Sequence, residues 1–401
     1  MAGPMEGVRV IELGVWVAGP AAGCILADWG ADVVKVEPPG LGDPARSFSK
    51  MLGADLPFNP PFEMDNRNKR SLVLDLTSAE GREIADALFE KADVFVTNIR
   101  RQALSRLGLD PESLCKRFPR LIYSEITGYG REGPDANRAA YDIAAFWARS
   151  GVAASLTQPD GQPPFQRGGM GDHNTGLAAA GSISAALFAR EKTGSGQLVS
   201  TSLLREGMYT MSFDMALTLR YGVDVQVANR KAMGNPCINS YQDSEGNWFW
   251  IVGLEADRHW PPLARLVGHP EWVEDERFSS IQSRQQNAST LIALLDEIFA
   301  TKTLAEWTPI FEAEPEMFWS PVQTIADVIQ DEQAHAAGGF VEIPDGEGTT
   351  ILPATPVDFH GTPIEHRNMA PEAGQDSEAI LGEIGLSGEQ IKSLREKGVL
   401  G

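Results

Sequence analysis

The sequence predicts an α/β protein built on a parallel sheet with a second, smaller α+β domain, and three observations lead there. Short β-branched runs alternate with helical stretches from Val8 to Thr127, the pattern of a parallel sheet covered on both faces. The chain has 401 residues, more than the roughly 250–300 a single core usually holds. Beyond residue 220 the composition shifts toward Trp and charge, which marks a domain change.

The elements follow in order. Val8–Leu13 reads as a strand, Gly14–Gly19 as a turn, Pro20–Trp29 as a helix with Pro at its start, and Asp32–Glu37 as a second strand. A second unit repeats the pattern: strand Arg70–Leu76, helix Ser78–Lys91 with a capping box of Thr77 and Glu80, strand Val94–Asn98. Short helices at Gln102–Leu107 and Pro111–Phe118 precede an apolar strand at Leu121–Thr127. An alanine-rich helix runs to Glu191, and a mostly apolar helix covers Leu203–Leu219. Residues 1–220 thus form a large α/β domain and residues 226–320 a smaller α+β domain, with a hairpin at Tyr241–Gly253 and helices at Thr290–Thr301 and Leu304–Pro309. The remaining 321–401 segment holds a helix at Thr324–Gln333, a strand at Phe340–Ile343 and a polar helix at Ser387–Lys397.

A formal charge of −21 argues against nucleic-acid or membrane-surface binding, because like charges repel phosphate. A polyanionic ligand would need a local basic pocket. Cys24, Cys115 and Cys237 are widely spaced, and the six histidines form no close pair, so neither a disulfide framework nor a metal site is expected. The N-terminus has no signal-peptide pattern and no 18-residue apolar run exists, so a cytoplasmic protein is expected.

Asp172 stands out as a candidate nucleophile. It lies in Gly168-G-M-G-D-H-N-T-Gly176, a glycine-rich turn that opens the alanine-rich helix. Glycines let backbone or ligand approach closely, and the helix start offers N–H groups and the positive end of a dipole. A carboxylate there is expected to stay ionised; the plainer reading is a helix cap. Asn66-Arg-Asn-Lys-Arg70 is a basic cluster before a strand, and Asn98 with Arg100, Arg101 and Arg106 is a second one after a strand. Placed at one sheet edge, the two would make a positive cleft for phosphates. Glu37 ends the second strand, where nicotinamide enzymes hold a ribose. The first turn, however, reads Gly14-V-W-V-A-Gly19-Pro20 rather than GxGxxG, and Trp16 fills the path a dinucleotide would take.

These segments together resemble the class III CoA-transferase family, nearly end to end. The resemblance rests on Gly7-V-R-V-I-E-Leu13, Ala18-G-P-Ala21, Leu26-A-D-W-G-A-D-V-V-K-V-E-P-Pro39, Gly42-D-P-A-Arg46, Asn68-K-R-S-L-V-L-D-Leu76, Tyr129-G-x-x-G-Pro134, Ala140-Y-Asp142, Gly171-D-H-x-x-Gly176 and Arg190-E-x-T-G-x-G-Gln197. It implies a Rossmann-like large domain to which the C-terminal segment returns, and an interlocked homodimer of ring-like chains. It implies Asp172 as the nucleophile of acyl transfer, through an acyl-aspartyl anhydride and an aspartyl-CoA thioester. Coenzyme A, as acyl-CoA, is then a substrate together with a carboxylic acid, and no permanent cofactor or metal is implied. Trp16, Val17, Lys69, Arg70, Asn98 and Arg106 match its CoA contacts. Tyr141, Trp147 and His173 are expected around the acyl group.

Two departures matter. Formyl-CoA transferases of this family carry glutamine where Val17 stands, so a more apolar acid than oxalate is expected. They also carry four glycines in the small domain, where Met233-G-N-P-Cys237 stands here. Two alternatives share the fold. α-Methylacyl-CoA racemases use a His/Asp pair, but Tyr141 holds the histidine position, and a phenol with a pKa near 10 is a poor base at neutral pH. A non-catalytic CoA-binding homologue would keep the basic cleft and gain nothing from Asp172.

Overall fold

The computed structural model describes all residues except 1, 2, 52, 55, 57, 160, 224, 226 and 228, so the expected domain limits at 1 and 226 fall outside the described residues. The chain divides into two units: residues 1–156, 163–225 and 336–401 in one, residues 157–162 and 226–335 in the other.

The first unit is organised by a six-stranded parallel sheet. In chain order it contains β1 (Arg9–Leu13), α1 (Ala18–Asp28), β2 (Asp32–Glu37), α2 (Pro60–Asn66), β3 (Arg70–Val73), α3 (Ala79–Phe89), β4 (Val94–Thr97), α4 (Arg101–Leu107), α5 (Pro111–Arg117), β5 (Ile122–Thr127), α6 (Met170–Thr193), β6 (Leu198–Ser202), α7 (Leu203–Thr210) and α8 (Ser212–Tyr221). The strand order is β3-β2-β1-β4-β5-β6, which reverses direction between β1 and β4. Crevices for ligands open at such a switch point, outside the carboxyl ends of the strands.

Alternation along the strands sorts the two faces of the sheet. Val10, Val33, Val94, Val96 and Ile122 pack against Ala22 and Leu26 of α1 and Ala179 and Ile183 of α6. Ile11, Leu13, Val34, Leu72 and Phe95 face the other way, against Ile84 and Leu88 of α3. The crossing of α1 and α6 is close because Gly176 has no side chain: a Cβ there would stand 2.9 Å from Ala21 Cβ and 3.0 Å from Ala22 N.

The second unit contains the antiparallel hairpin of β7 (Ile238–Gln242) and β8 (Trp248–Val252), helices α9 (Ala256–Leu266), α10 (Ala288–Phe299) and α11 (Leu304–Glu312), and β9 (Trp319–Pro321), which pairs with β8. Its core is aromatic: Tyr241, Phe249, Phe299, Trp307 and Phe311 pack together. The chain then rejoins the first unit through the hairpin β10 (Phe340–Asp345) and β11 (Gly348–Pro353), followed by α12 (Ser377–Glu383) and α13 (Gly388–Glu396). Ile380, Leu381, Ile391 and Leu394 of these last helices join the core under α3. Among the described residues no helix is long and apolar enough to cross a membrane.

Several local expectations are corrected. Ser78, not Thr77, caps α3, accepting from Gly81 N at 3.0 Å, while the Thr77 hydroxyl turns back to Asp75. The apolar stretch from Leu203 breaks at Met211 into α7 and α8. The helix expected at Thr324–Gln333 ends at Gln330, and a second short helix begins at Glu332. The edge strand β6 and helix α2 carried no clear period, being only five and seven residues long.

Candidate active site

Helix α6 begins at Met170, preceded by Gly169 in the left-handed region (φ 76°), so Asp172 is the third helical residue and not the cap. Gly169 and Gly171 are required by close approach. A Cβ on Gly171 would stand 2.2 Å from both Asp142 Oδ1 and Phe146 Cγ. Asp142 reaches the helix start instead, and its Oδ2 accepts from Gly171 N at 3.0 Å. Its Oδ1 is buried with no hydrogen-bond partner among the described residues. The Asp172 carboxyl accepts no hydrogen bond from the described residues, and its pKa is pushed up to about 7. Burial is the main cause and the nearby Asp142 adds to it, while His173 opposes both. Burial and a like charge thus work against the ionisation expected of a carboxylate at a helix start.

Asp172 borders a pocket of about 420 Å³ lined also by Trp16, Val17, Asn98, Arg100, Arg101, Arg138 and Tyr141. The first unit supplies all of these, from the loops that follow β1, β4 and β5 and the first residue of α4, at the carboxyl edge of the sheet. Trp16 has φ 64°, a conformation that costs an L-residue about 1–2 kcal/mol. Side chains hold it there. Asn98 accepts from Val15 N at 2.9 Å and donates to Val15 O at 2.7 Å, and Asp43 Oδ1 accepts from Trp16 N at 3.0 Å. The Trp16 indole then meets the Tyr141 ring edge-on, 5.8 Å between centroids.

Four of the expected site residues thus stand with Asp172: Trp16, Val17, Asn98 and Tyr141. Five do not line this pocket. Lys69 is buried, its ammonium 2.7 Å from Glu12 Oε2, 2.8 Å from Pro20 O and 2.9 Å from Asn66 Oδ1. Burial lowers its pKa, with like charge from Lys35 adding, against the pull of Glu12. Arg70 opens β3 and is held by Asp32 (2.6 Å) and Glu383 (2.7 Å). The reason is topological. Its cluster precedes a strand and Asn98 follows one, so in a parallel sheet their backbones lie toward opposite edges. Arg67, in the same cluster, is buried on Asp28 at 2.8 Å.

Arg106 is exposed and donates to Gln102 O at 3.1 Å. Trp147 is buried in a cluster with Phe146 and Val152, its indole N–H donating to Pro164 O at 3.1 Å. The His173 ring turns to Asp65, with Nε2 2.9 Å from Oδ1, and that hydrogen bond raises its pKa. Glu37 is fully engaged as well. It takes two bonds from Arg46, at 2.8 and 2.6 Å, and one each from Asp43 N and Ser71 Oγ, which leaves no ribose acceptor.

Arg138 and Asn137 of the pocket lie between the Tyr129–Pro134 and Ala140–Asp142 segments and carry no motif of their own in the sequence. Asp43 was visible only inside the Gly42-D-P-A-Arg46 segment. Among the described residues no group of three His, Cys, Asp or Glu is placed to hold a metal ion.

The family description "CoA-transferase family III" matches residues 5–377. The (R)-2-hydroxy-4-methylpentanoate CoA-transferase of Clostridioides difficile is 32% identical over 400 residues, covering 99% of both chains. The cinnamoyl-CoA:phenyllactate CoA-transferase of Clostridium sporogenes is also 32% identical, over 98% of this chain and 96% of that one. Among solved structures, a CAIB/BAIF family protein from Brucella suis superposes with a TM-score of 0.80 at 32% identity, covering 96% of this chain and 100% of that one. Rv3272 from Mycobacterium tuberculosis gives a TM-score of 0.82 at 27% identity, covering 94% and 99%. The chain belongs to CoA-transferase family III and is an enzyme of the CoA-transferase class.

Proposed function

We propose that this enzyme moves coenzyme A from an acyl-CoA to a carboxylic acid with Asp172 as the nucleophile. The observation that carries the reading is the Asp172 carboxyl, unpartnered among the described residues, at the wall of a pocket that also holds Arg100, Arg101 and Asn98. An Asp172 oxygen attacks the thioester carbon, the C–S bond breaks, and an acyl-aspartyl anhydride and CoA thiolate result. The thiolate then attacks the aspartyl carbonyl, releasing the donor acid as a carboxylate and leaving an aspartyl-CoA thioester. The acceptor carboxylate repeats the attack on that thioester, forming a second anhydride and freeing the thiolate. Attack of the thiolate on the acceptor acyl carbon yields the new acyl-CoA and restores Asp172. Each step passes through an oxyanion, which N–H groups at the start of α6 are suited to stabilise.

Arg100, Arg101 and Arg138 supply the positive charge that CoA phosphates need in an acidic protein. Trp16, Val17, Ala140 and Leu203 give the pocket apolar walls, which favours a branched or aromatic acyl group. This direction agrees with the two clostridial relatives, named for 2-hydroxy-4-methylpentanoate and phenyllactate. A homodimer is part of the reading. Tyr209, Phe213, Leu219 and Tyr221 are exposed on α7 and α8, an apolar surface of the kind that subunit contacts cover.

A transfer assay in D2O tests the reading against racemisation. Acyl-CoA donors, including a 2-methylacyl-CoA, are mixed with a panel of acids. New acyl-CoA without α-deuterium is expected. Deuterium uptake without transfer would reassign the enzyme to proton exchange.

A further inference from the structure

The segment after β1 is held by a buried chain of charges that the catalytic scheme does not use. Glu12 on β1 and Lys35 on β2 are register neighbours, both fully buried, with Lys35 Nζ 3.0 Å from Glu12 Oε1. The same ammonium lies 2.9 Å from Asp43 Oδ2 and donates to Gly14 O at 3.1 Å. Asp43, also fully buried, accepts from Trp16 N at 3.0 Å and Ala45 N at 2.9 Å. Lys69 closes the far end on Glu12 at 2.7 Å. With Asn98 on Val15, these groups satisfy Gly14 O, both polar groups of Val15 and Trp16 N in a segment with no regular structure of its own.

A run of buried charges is costly to assemble and gives little net stability against an apolar replacement. What it does here is geometric. Trp16 is one of two non-glycine residues with positive φ among the described residues, and its indole stands in the pocket edge-on to Tyr141. Such a conformation persists only where the surroundings over-determine it.

We propose that Asp43 is a positioning residue: the Glu12–Lys35–Asp43 relay holds Trp16 in its left-handed conformation, and thereby sets the wall against which the acyl group is selected. The part that concerns selection rests on the transferase reading above. The part that concerns position does not.

The test uses the full chain labelled with 5-fluorotryptophan. The Trp16 resonance is assigned by its loss in Trp16→Phe. In Asp43→Asn the Trp16 line is expected to shift or broaden while the other eight tryptophans keep theirs. Lys35→Gln, melted alongside to establish folding, should give the same change. An unmoved Trp16 line in a folded variant would overturn the proposal.

Turnover gives the second readout. Asp43→Asn should lower kcat/KM for the preferred large donor by roughly tenfold to a hundredfold, as a misplaced contact does. In a Trp16→Ala background the same change should cost almost nothing. Equal losses in both backgrounds would reduce Asp43 to a purely structural role and overturn the proposal. If wild type transfers CoA between no donor and acid tried, the transferase reading fails by itself, and the fluorine spectrum still decides the position of Trp16.

Discussion

Asp142 and Asp172 stand as two carboxyls at one helix start, where Asp142 binds Gly171 N at 3.0 Å and its charge helps burial raise the Asp172 pKa to about 7. The transfer scheme needs Asp172 ionised. The kcat/KM for acyl-CoA should therefore rise with pH through about 7 and level off above it. Asp142→Asn keeps an acceptor for Gly171 N and removes the like charge, so its profile should rise at lower pH. A pH–rate series on the two proteins measures this, and an unmoved profile would disconnect the two carboxyls.

The same shift carries a stability signature. In the unfolded chain Asp172 returns to about 3.9, far below its folded value of about 7. The folded state then holds a proton that the unfolded state has released, and stability from this group falls as pH rises from about 4 to about 7. Asp172→Asn removes the loss. Its melting temperature should exceed that of wild type at pH 8 and approach it at pH 4, as read by calorimetry.

Gly23 makes room for the buried charges beneath the pocket. A Cβ there would lie 1.9 Å from Glu12 Oε2 and 3.3 Å from Lys69 Cε. Gly23→Ala must push apart a fully packed ion pair, at a cost of about 1–3 kcal/mol. Denaturant unfolding should show a lower midpoint with an unchanged slope.

Lys69 and Arg100 should separate stability from binding. Lys69→Met leaves Glu12 buried beside Lys35 alone and should destabilise by about 3–5 kcal/mol. Arg100 is exposed, lines the pocket and has no ion pair with a described residue. Arg100→Ala should leave the melting temperature within about a degree and raise KM for acyl-CoA several-fold, since surface charges seldom stabilise.

Much of this was legible in the sequence, and the failures have a physical pattern. The alternation of Val8–Glu37 and Arg70–Thr127 marked five of the six strands, because buried parallel strands read as apolar runs. Gly171 and Gly176 in the sequence already pointed to close packing at the start of α6. Charges inside the strands, Glu12 in Arg9–Leu13 and Lys35 in Asp32–Glu37, were in plain view. Their meaning depended on register, which places them side by side, and on Asp43 arriving from a loop. The basic cluster at Asn66–Arg70 misled for the same reason. Its acids, Glu12, Asp28, Asp32 and Glu383, are remote in sequence, so charges neutralised within the fold looked free for phosphate.

Covalent catalysis by Asp172 is tested most directly by mass spectrometry. Wild type and Asp172→Ala are mixed with acyl-CoA donors, treated with hydroxylamine and digested. Nucleophilic catalysis predicts a hydroxamate on the peptide containing Asp172 of wild type only, formed only with donors that support transfer. Transfer that proceeds at wild-type rate in Asp172→Ala, or a hydroxamate on another carboxyl, would contradict it.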